Sequence, residues 1–311
     1  MTALFPAEEE GGRLDAARSR FGLPQAGSAR PLAGDVGQRR YFRLESKRGT
    51  SVVLVLYPAP SSPAQERWRV IGAALSEAGI RVPALLDDDP ASGSALVEDL
   101  GDRDLAAQIR EAGAGERERL LDEAEDLLVP LRRIARGAAG LNPPFDAAFF
   151  ASELAHTRRW ALERDGRTPL RADRSSLWEE LAGRLACDAA DPALGGDPVP
   201  THRDFHANNL MRTADGALAV IDFQDLRFGP PDYDPVSLRF ERAGTLAEPH
   251  GDAYREAVLL QRAWKVLGTF EKMLSFEREI YRPHRDAAVR AIRLWTRRDG
   301  AYGPLLAFLP G

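Results

Sequence analysis

Thr201-His202-Arg203-Asp204-Phe205-His206-Ala207-Asn208-Asn209-Leu210-Met211 is the densest polar cluster in the chain, and a turn at Thr213-Ala214-Asp215-Gly216 separates it from the apolar run Leu218-Ala219-Val220-Ile221 and then Asp222-Phe223-Gln224-Asp225. An Asp-Gly pair between two short apolar segments is a tight-turn signal. The two segments are therefore expected to form a hairpin joining two acidic sites, with the stretch around Asn209 folded back towards Asp222 at the mouth of the strands.

Phosphoryl transfer asks little covalent chemistry of a protein. It needs a carboxylate to orient the attacking hydroxyl and accept its proton, and oxygen ligands to hold magnesium on the nucleotide phosphates. The series His202, Asp204, Asn209, short strand, Asp222 has the order and spacing of a kinase catalytic loop and its metal-binding partner. Asp204 is the candidate base, Asn209 and Asp222 the candidate metal ligands, and His202 a loop member that counts among the catalytic candidates. Taken singly, Asp222 also reads as a turn cap and Asn209 as a turn residue. His202 and His206 with Asp204 also suit zinc, although His156, His250 and His284 add no clustered ligand spacing. Further on, Asp234-Pro235 reads as a helix start, with Asp234 as N-cap and Pro235 in the first helical position.

Outward from this block the chain divides in two. Residues 28 to 100 are strand-rich: Tyr41 to Leu44 alternates, Lys47 to Thr50 is turn-like, Ser51 to Tyr57 is an apolar run ended by Pro58, and Ser94 to Val97 is a further strand. Between them, Ala64 to Ala78 has helical spacing and Gly79 supplies the stop. From there the pattern is helical, with helices expected over 116 to 136, 145 to 164, 175 to 189 and within 252 to 296. The layout implies an α+β fold with a small antiparallel-sheet lobe over residues 1 to 100 and a larger, mainly helical lobe over 101 to 311.

The composition bounds the function. A chain of 311 residues with 44% hydrophobic and 29% charged residues is globular. It has no apolar run of membrane-spanning length, and its acidic start at Met1 to Arg13 is no secretory signal, which points to the cytoplasm. A net charge of -5 gives no electrostatic reason to expect nucleic acid as a partner. The single cysteine, Cys187, excludes an intrachain disulfide, and its place near Leu181 and Leu185 predicts a buried small residue. Only Lys47, Lys265 and Lys272 are lysines among 42 basic residues.

With these residues in view, the chain resembles the aminoglycoside phosphotransferase / choline kinase-like superfamily, with its protein-kinase-like two-lobed fold. Within it, the chain is similar to the bacterial N-acetylmuramate/N-acetylglucosamine anomeric kinases of cell-wall recycling. The match runs through Gly34-Asp35-Val36-Gly37-Gln38-Arg39-Arg40-Tyr41-Phe42-Arg43, Gly79-Ile80-Arg81-Val82-Pro83, Val97-Glu98-Asp99-Leu100-Gly101, His202 to Asn209, and Ile221-Asp222-Phe223-Gln224-Asp225 with Tyr233-Asp234-Pro235. The resemblance implies an ATP and Mg2+ dependent phosphotransferase in which Asp204 is the base and Asn209 and Asp222 ligate magnesium. It makes Gly34, Gly37, Gln38, Arg39 and Arg40 the nucleotide-covering hairpin, the backbone at Glu98, Asp99 and Leu100 the adenine contact, and Asp234 a brace for the catalytic loop. Acceptor candidates are His206, Asp225, Glu153, Arg159 and Trp160, although Trp160 with Phe149 and Phe150 also reads as helix core.

One departure stands out. The superfamily usually carries a phosphate-holding lysine on the third strand, and Ser51 to Tyr57 has none, as in the related sugar kinases. An arginine among Arg39, Arg40 and Arg43 is the candidate replacement, because a guanidinium bridges two phosphate oxygens. The alternatives are a choline-, homoserine- or aminoglycoside-type kinase, or a nucleotide-binding regulatory protein that has lost catalysis.

Overall fold

Six residues, Ser51 to Leu56, form a strand that is buried on both faces apart from Ser51, as expected of a central strand covered on each side. The structure is a computed structural model that describes residues 7–24, 29–32, 39–45, 50–134, 136–240, 255–296 and 300–310. The chain divides into two compact units, Met1–Asp104 with Leu210–Asp225, and Leu105–Asn209 with Leu226–Gly311. The sequence reading divides the chain once, near residue 100; the fold also assigns the hairpin after Asn209 to the first unit. The cause is backbone pairing, because Ala219 bridges to Arg81, and the Arg212 N–H donates to the Arg103 carbonyl at 2.8 Å.

In the first unit, β1 (Arg30–Leu32), β2 (Arg40–Glu45), β3 (Ser51–Leu56), β4 (Leu85–Asp89) and β5 (Ser94–Glu98) form one antiparallel sheet in the order β1-β2-β3-β5-β4. α1 (Ala7–Arg20) contributes Ala17 to the face made by Phe42, Leu44, Val52, Leu54 and Leu56. α2 (Pro63–Glu77) lays Trp68 and Ala64 on the opposite face against Val53, Val55 and Tyr57. It ends as the sequence predicts. Gly79 takes φ +82, the Ile80 N–H returns to the Leu75 carbonyl and the Gly79 N–H to that of Ser76, which is a Schellman cap closed by buried Ile80 and Leu75.

The second unit holds α3 (Leu105–Glu111), α4 (Ala114–Asp126), α5 (Leu128–Leu131), α6 (Arg136–Ala139), α7 (Ala147–Thr157), α8 (Ala172–Ala190), α9 (Pro192–Gly195) and β6 (Val199–Thr201). β7 (Leu210–Arg212) and β8 (Leu218–Val220) are the hairpin given to the first unit, and β9 (Arg227–Gly229) pairs with β6. α10 (Tyr233–Phe240), α11 (Glu256–Ser275) and α12 (Arg282–Thr296) complete the second unit with a 3-10 stretch, Gly300–Phe308.

The single helix expected over 116 to 136 is broken after Asp126, because Pro130 has no N–H to offer and its ring collides with the carbonyl four residues back. The expected helix over 145 to 164 is α7, capped by Asp146, and then a π-helical turn, Arg158–Leu162. Cys187 is exposed rather than buried. It lies two residues beyond Leu185, on the opposite side of α8 from the Leu181 and Leu185 face. Among the described residues no helix is long and apolar enough to cross a membrane.

α11 forms the middle of the second unit and is buried nearly all round, as a core helix must be. Trp264 meets Trp178 of α8 edge to face at 5.3 Å. Its carbonyl accepts from the Thr157 hydroxyl of α7 at 2.8 Å. The helices approach closely at Gly268, where an added Cβ would stand 2.6 Å from the Thr157 Cα. This contact fixes how α11 presents its few polar residues.

Candidate active site

After β6 the chain turns sharply, and Arg203 adopts φ +81, a left-handed conformation that costs a non-glycine residue about 1–3 kcal/mol. Buried Asp234 holds the turn in place. Its carboxylate accepts from the His202 N–H at 2.6 Å and the Arg203 N–H at 3.0 Å, while the Arg203 carbonyl accepts from Arg262 Nη1 at 2.6 Å. Asp234 is thus not the N-cap that its Asp-Pro setting predicts: α10 begins at Tyr233, and the carboxylate is committed to the loop. Burial pushes the Asp234 carboxyl up to about 6, against the pull of His202 and the two N–H donors.

The turn presents Asp204 to two cations of α11. Asp204 Oδ1 accepts from Lys265 Nζ at 2.8 Å and from Arg262 Nη1 and Nη2 at 3.3 Å each. The Asp204 side chain is 24% exposed, that of Lys265 14% and that of Arg262 4%. Burial alone would raise the Asp204 carboxyl, but Lys265, Arg203 and Arg262 outweigh it and hold the group well below the usual carboxylate range. Burial and Arg262 lower Lys265 in turn, with Asp204 opposing them. Among the described residues no protein donor reaches Oδ2 of Asp204, so the ionised carboxylate keeps one oxygen open. Sequence reasoning missed Lys265 and Arg262. The readable signal was a polar stripe, Arg262, Lys265, Thr269 and Lys272, repeating every three or four residues along an otherwise apolar helix.

The other loop residues hold its shape. The Asn209 Nδ2 donates to the Asp204 carbonyl at 2.9 Å, which leaves Oδ1 as the end able to meet a hard cation. His206 is 4% exposed, buried within the turn. Its backbone N–H donates to the Asp204 carbonyl at 2.9 Å. His202 is fully buried, with its ring edge-on to Phe205. Glu153 is also buried, and accepts from Gln261 at 2.9 Å and Arg203 at 3.2 Å.

Arg159 and Trp160 occupy the π-helical turn. Arg159 pairs with Asp165 at 2.6 Å and lies 5.1 Å from the Trp160 ring centroid. Half-buried Trp160 stands outside the core that contains Phe150, and meets the rings of His156 and Phe276 at 6.2 and 6.0 Å.

In the first unit, β8 leads into Asp222 at φ +60 and a 3-10 turn, Phe223–Asp225. Phe223 is fully buried against α2, 5.2 Å from the Trp68 ring and over Gly72, where an added Cβ would come within 3.1 Å of its ring. This seat orients Asp222, whose side chain is 40% exposed. Its Oδ1 accepts from Arg39 Nη2 at 2.5 Å and Gln224 Nε2 at 3.0 Å, and Arg39 Nη1 donates to Gln224 Oε1 at 2.7 Å. Among the described residues Oδ2 has no protein donor. Arg39 is only 11% exposed. Burial works against its charge, but Tyr41, Asp222 and Tyr57 keep the guanidinium firmly protonated, and burial pushes the Tyr41 phenol up to about 12.

The structure separates the three arginines. Arg40 turns to Glu10 of α1 at 3.2 Å, and Arg43 pairs with Asp99 at 2.5 Å and Asp102 at 2.6 Å. Gly34, Gly37, Gln38 and Lys47 lie outside the described residues. Both acidic side chains at the end of β5 are engaged. Glu98 pairs with Arg81 and accepts from the Ala84 N–H at 3.1 Å; Asp99 also accepts from the Ser51 hydroxyl and, at 2.9 Å, the Gly101 N–H. Leu100 follows them, half-buried, and Asp225 ends its turn half-buried. Among the described residues no three His, Cys, Asp or Glu side chains converge as a metal site, so the zinc alternative gains no support. Magnesium asks for less, one or two protein oxygens beside phosphate and water.

The family model for the phosphotransferase enzyme family matches residues 28–270. A curated relative from Neisseria meningitidis serogroup B, named N-acetylmuramate/N-acetylglucosamine kinase, is 29% identical over 89% of this chain and 88% of its own length. A relative of the same name from Pseudomonas aeruginosa is also 29% identical, over 76% of this chain and 64% of its own. Among solved structures, the choline kinase LicA from Streptococcus pneumoniae superposes with a TM-score of 0.61 at 14% identity, over 92% of this chain and 99% of that one. A thermostable mutant of aminoglycoside phosphotransferase APH(4)-Ia gives 0.59 at 15% identity, over 89% and 97%. These likenesses show a protein-kinase-like fold, and with a family match over most of its length the chain belongs to the phosphotransferase enzyme family.

Proposed function

We propose that this phosphotransferase moves the γ-phosphoryl group of ATP to the anomeric hydroxyl of N-acetylmuramate or N-acetylglucosamine. The observation that carries the reading is the ionised Asp204 carboxylate, locked by Lys265 and Arg262 with Oδ2 open, on a loop braced by Asp234. A hydroxyl that donates to Oδ2 is oriented for attack. As its oxygen bonds to the γ-phosphorus, the bond from that phosphorus to the β–γ bridging oxygen breaks, ADP leaves, and the hydroxyl proton passes to Asp204. The sugar assignment rests on the names of the relatives above.

Asn209 Oδ1 and Asp222 Oδ2 would hold magnesium, which when bound neutralises charge on the phosphates. Arg39 takes the place of the absent strand lysine. Of the three candidate arginines it alone has its guanidinium on the metal-binding carboxylate, and its planar donor set suits phosphate oxygens as well.

A coupled nucleotide-consumption assay against N-acetylmuramate, N-acetylglucosamine, glucose, choline, homoserine and kanamycin tests the reading, with Asp204→Asn as control. Consumption is expected with the two N-acetylated sugars and is lost in the variant. Consumption with none of the six, or undiminished in Asp204→Asn, removes it.

A further inference from the structure

Within the second unit, two helical stripes of polar and aromatic residues face each other. From α11 come Arg262, Lys265, Thr269, Lys272 and, just past its end, Phe276; from α7 and its π-helical continuation come Glu153, His156 and Trp160. Both stripes grade outward, from buried Arg262 and Glu153 to half-buried Lys272 and Trp160 and exposed Phe276. They are in register: Gln261 bonds Glu153 at 2.9 Å at the inner end, and at the outer end the Lys272 ammonium lies 5.7 Å from the Trp160 ring centroid, which is 6.0 Å from that of Phe276.

The charges along these two stripes do not cancel. Arg203, Arg262, Lys265 and Lys272 bring four positive charges, and Asp204 and Glu153 bring two negative ones. The inner cations are satisfied by those two carboxylates. Lys272 is not: among the described residues no carboxylate pairs with it, and its contact is the face of Trp160. His156 beside it is neutral at pH 7, since burial, Lys272 and Arg159 all lower it. Arg159, the other cation at the Trp160 ring, is already paired with Asp165.

We propose that Lys272, backed by Trp160, is a subsite for a carboxylate carried by the acceptor. It rests on the kinase reading above, and gives that reading a means of telling an acidic amino sugar from a neutral one. Lys265 and Lys272 are seven residues apart on α11, about 10 Å along the helix. A sugar whose anomeric hydroxyl donates to Asp204 and which lies along α11 towards Lys272 would bring there the lactyl ether carboxylate of N-acetylmuramate, the group that N-acetylglucosamine lacks. An ammonium on an aromatic face, short of a counter-ion, supplies charge at that end without closing it to the neutral sugar.

Lys272→Gln keeps most of the side-chain stem and removes the charge. The expected result is a KM for N-acetylmuramate raised about tenfold, with the KM for N-acetylglucosamine and both kcat values within about twofold of the wild type. Lys272→Arg is expected to restore the difference. KM values that rise equally for both sugars, or for neither, overturn the subsite and leave the kinase reading standing. A wild-type protein that phosphorylates neither sugar removes the reading and the subsite together. If Lys272→Gln fails to fold, wild-type KM values for N-acetylmuramate and its methyl ester decide the matter: a similar rise for the ester supports the subsite, and equal values overturn it.

Discussion

Asp204 follows a left-handed residue and Asp222 is itself one, yet the two carboxylates are held in opposite ways. Asp204 follows Arg203, is gripped by two cations of a core helix, and sits on a loop whose backbone donors are taken by a buried aspartate. Asp222 is itself left-handed, more exposed, and held by one arginine at the start of a strand and one glutamine two residues on. Lys265 and Arg262 cannot withdraw without disturbing the packing of α11. The Arg39 contact requires no such disruption, because a guanidinium can pass from carboxylate to phosphate as a nucleotide arrives. The first arrangement suits a group that must be ready in every cycle, and the second suits one whose partners change within the cycle.

The largest effect should come from the fixed site. Asp204→Asn should lower kcat by about 10²–10⁴, the usual range for a general base. Lys265→Met should lower it about tenfold in the wild type and hardly at all in the Asp204→Asn background, since residues that act as a unit are not additive. Its sign with pH is also fixed: Lys265 favours ionised Asp204, so its loss raises that pKa and moves the acid limb of the kcat profile to higher pH. Additive losses in the double variant would separate the two residues.

At the exchangeable site, Arg39→Ala should raise the KM for nucleotide about tenfold, as one charge-assisted bidentate contact is lost. Arg40→Ala should leave it within about twofold, because Arg40 serves α1. Equal changes in both variants would remove the distinction between Arg39 and Arg40 and with it the phosphate role of Arg39.

A smaller effect concerns the brace. Asp234→Asn should cost about 1–3 kcal/mol of stability near pH 7, since an amide can accept both backbone donors only at the expense of its geometry. The sign with pH follows from the raised carboxyl. Folded Asp234 binds its proton more tightly than the unfolded chain, so its protonation adds stability that is full below about pH 4 and lost as pH rises through about 6. Chemical denaturation at pH 4 and pH 7 should show wild type losing more stability than Asp234→Asn over that interval.

These contrasts also show what the sequence could carry. The Asp-Gly turn and the apolar pair around it were legible because each is a local signal, and the hairpin formed in register from Leu210 opposite Val220 to Arg212 opposite Leu218. The cations on Asp204 were not legible in the same way, since Lys265 lies 61 residues further along the chain. Only the polar stripe on an apolar helix announced that α11 looks into a site. The three-residue strands β6 and β9 escaped notice because they are too short to show a period. Asp-Pro, a strong local start signal, makes Asp234 read as an N-cap, whereas its carboxylate is taken by the two N–H donors of the catalytic loop, the bracing role that the family resemblance implied.

The most direct test of this division of labour is nucleotide binding by titration calorimetry, with and without magnesium, in Asp204→Asn and Asp222→Asn. The expected result is that Asp204→Asn binds ATP and magnesium like the wild type while transferring no phosphate, whereas Asp222→Asn loses the gain in affinity that magnesium confers. Equal weakening in both variants, or a magnesium effect that survives in Asp222→Asn, would contradict it.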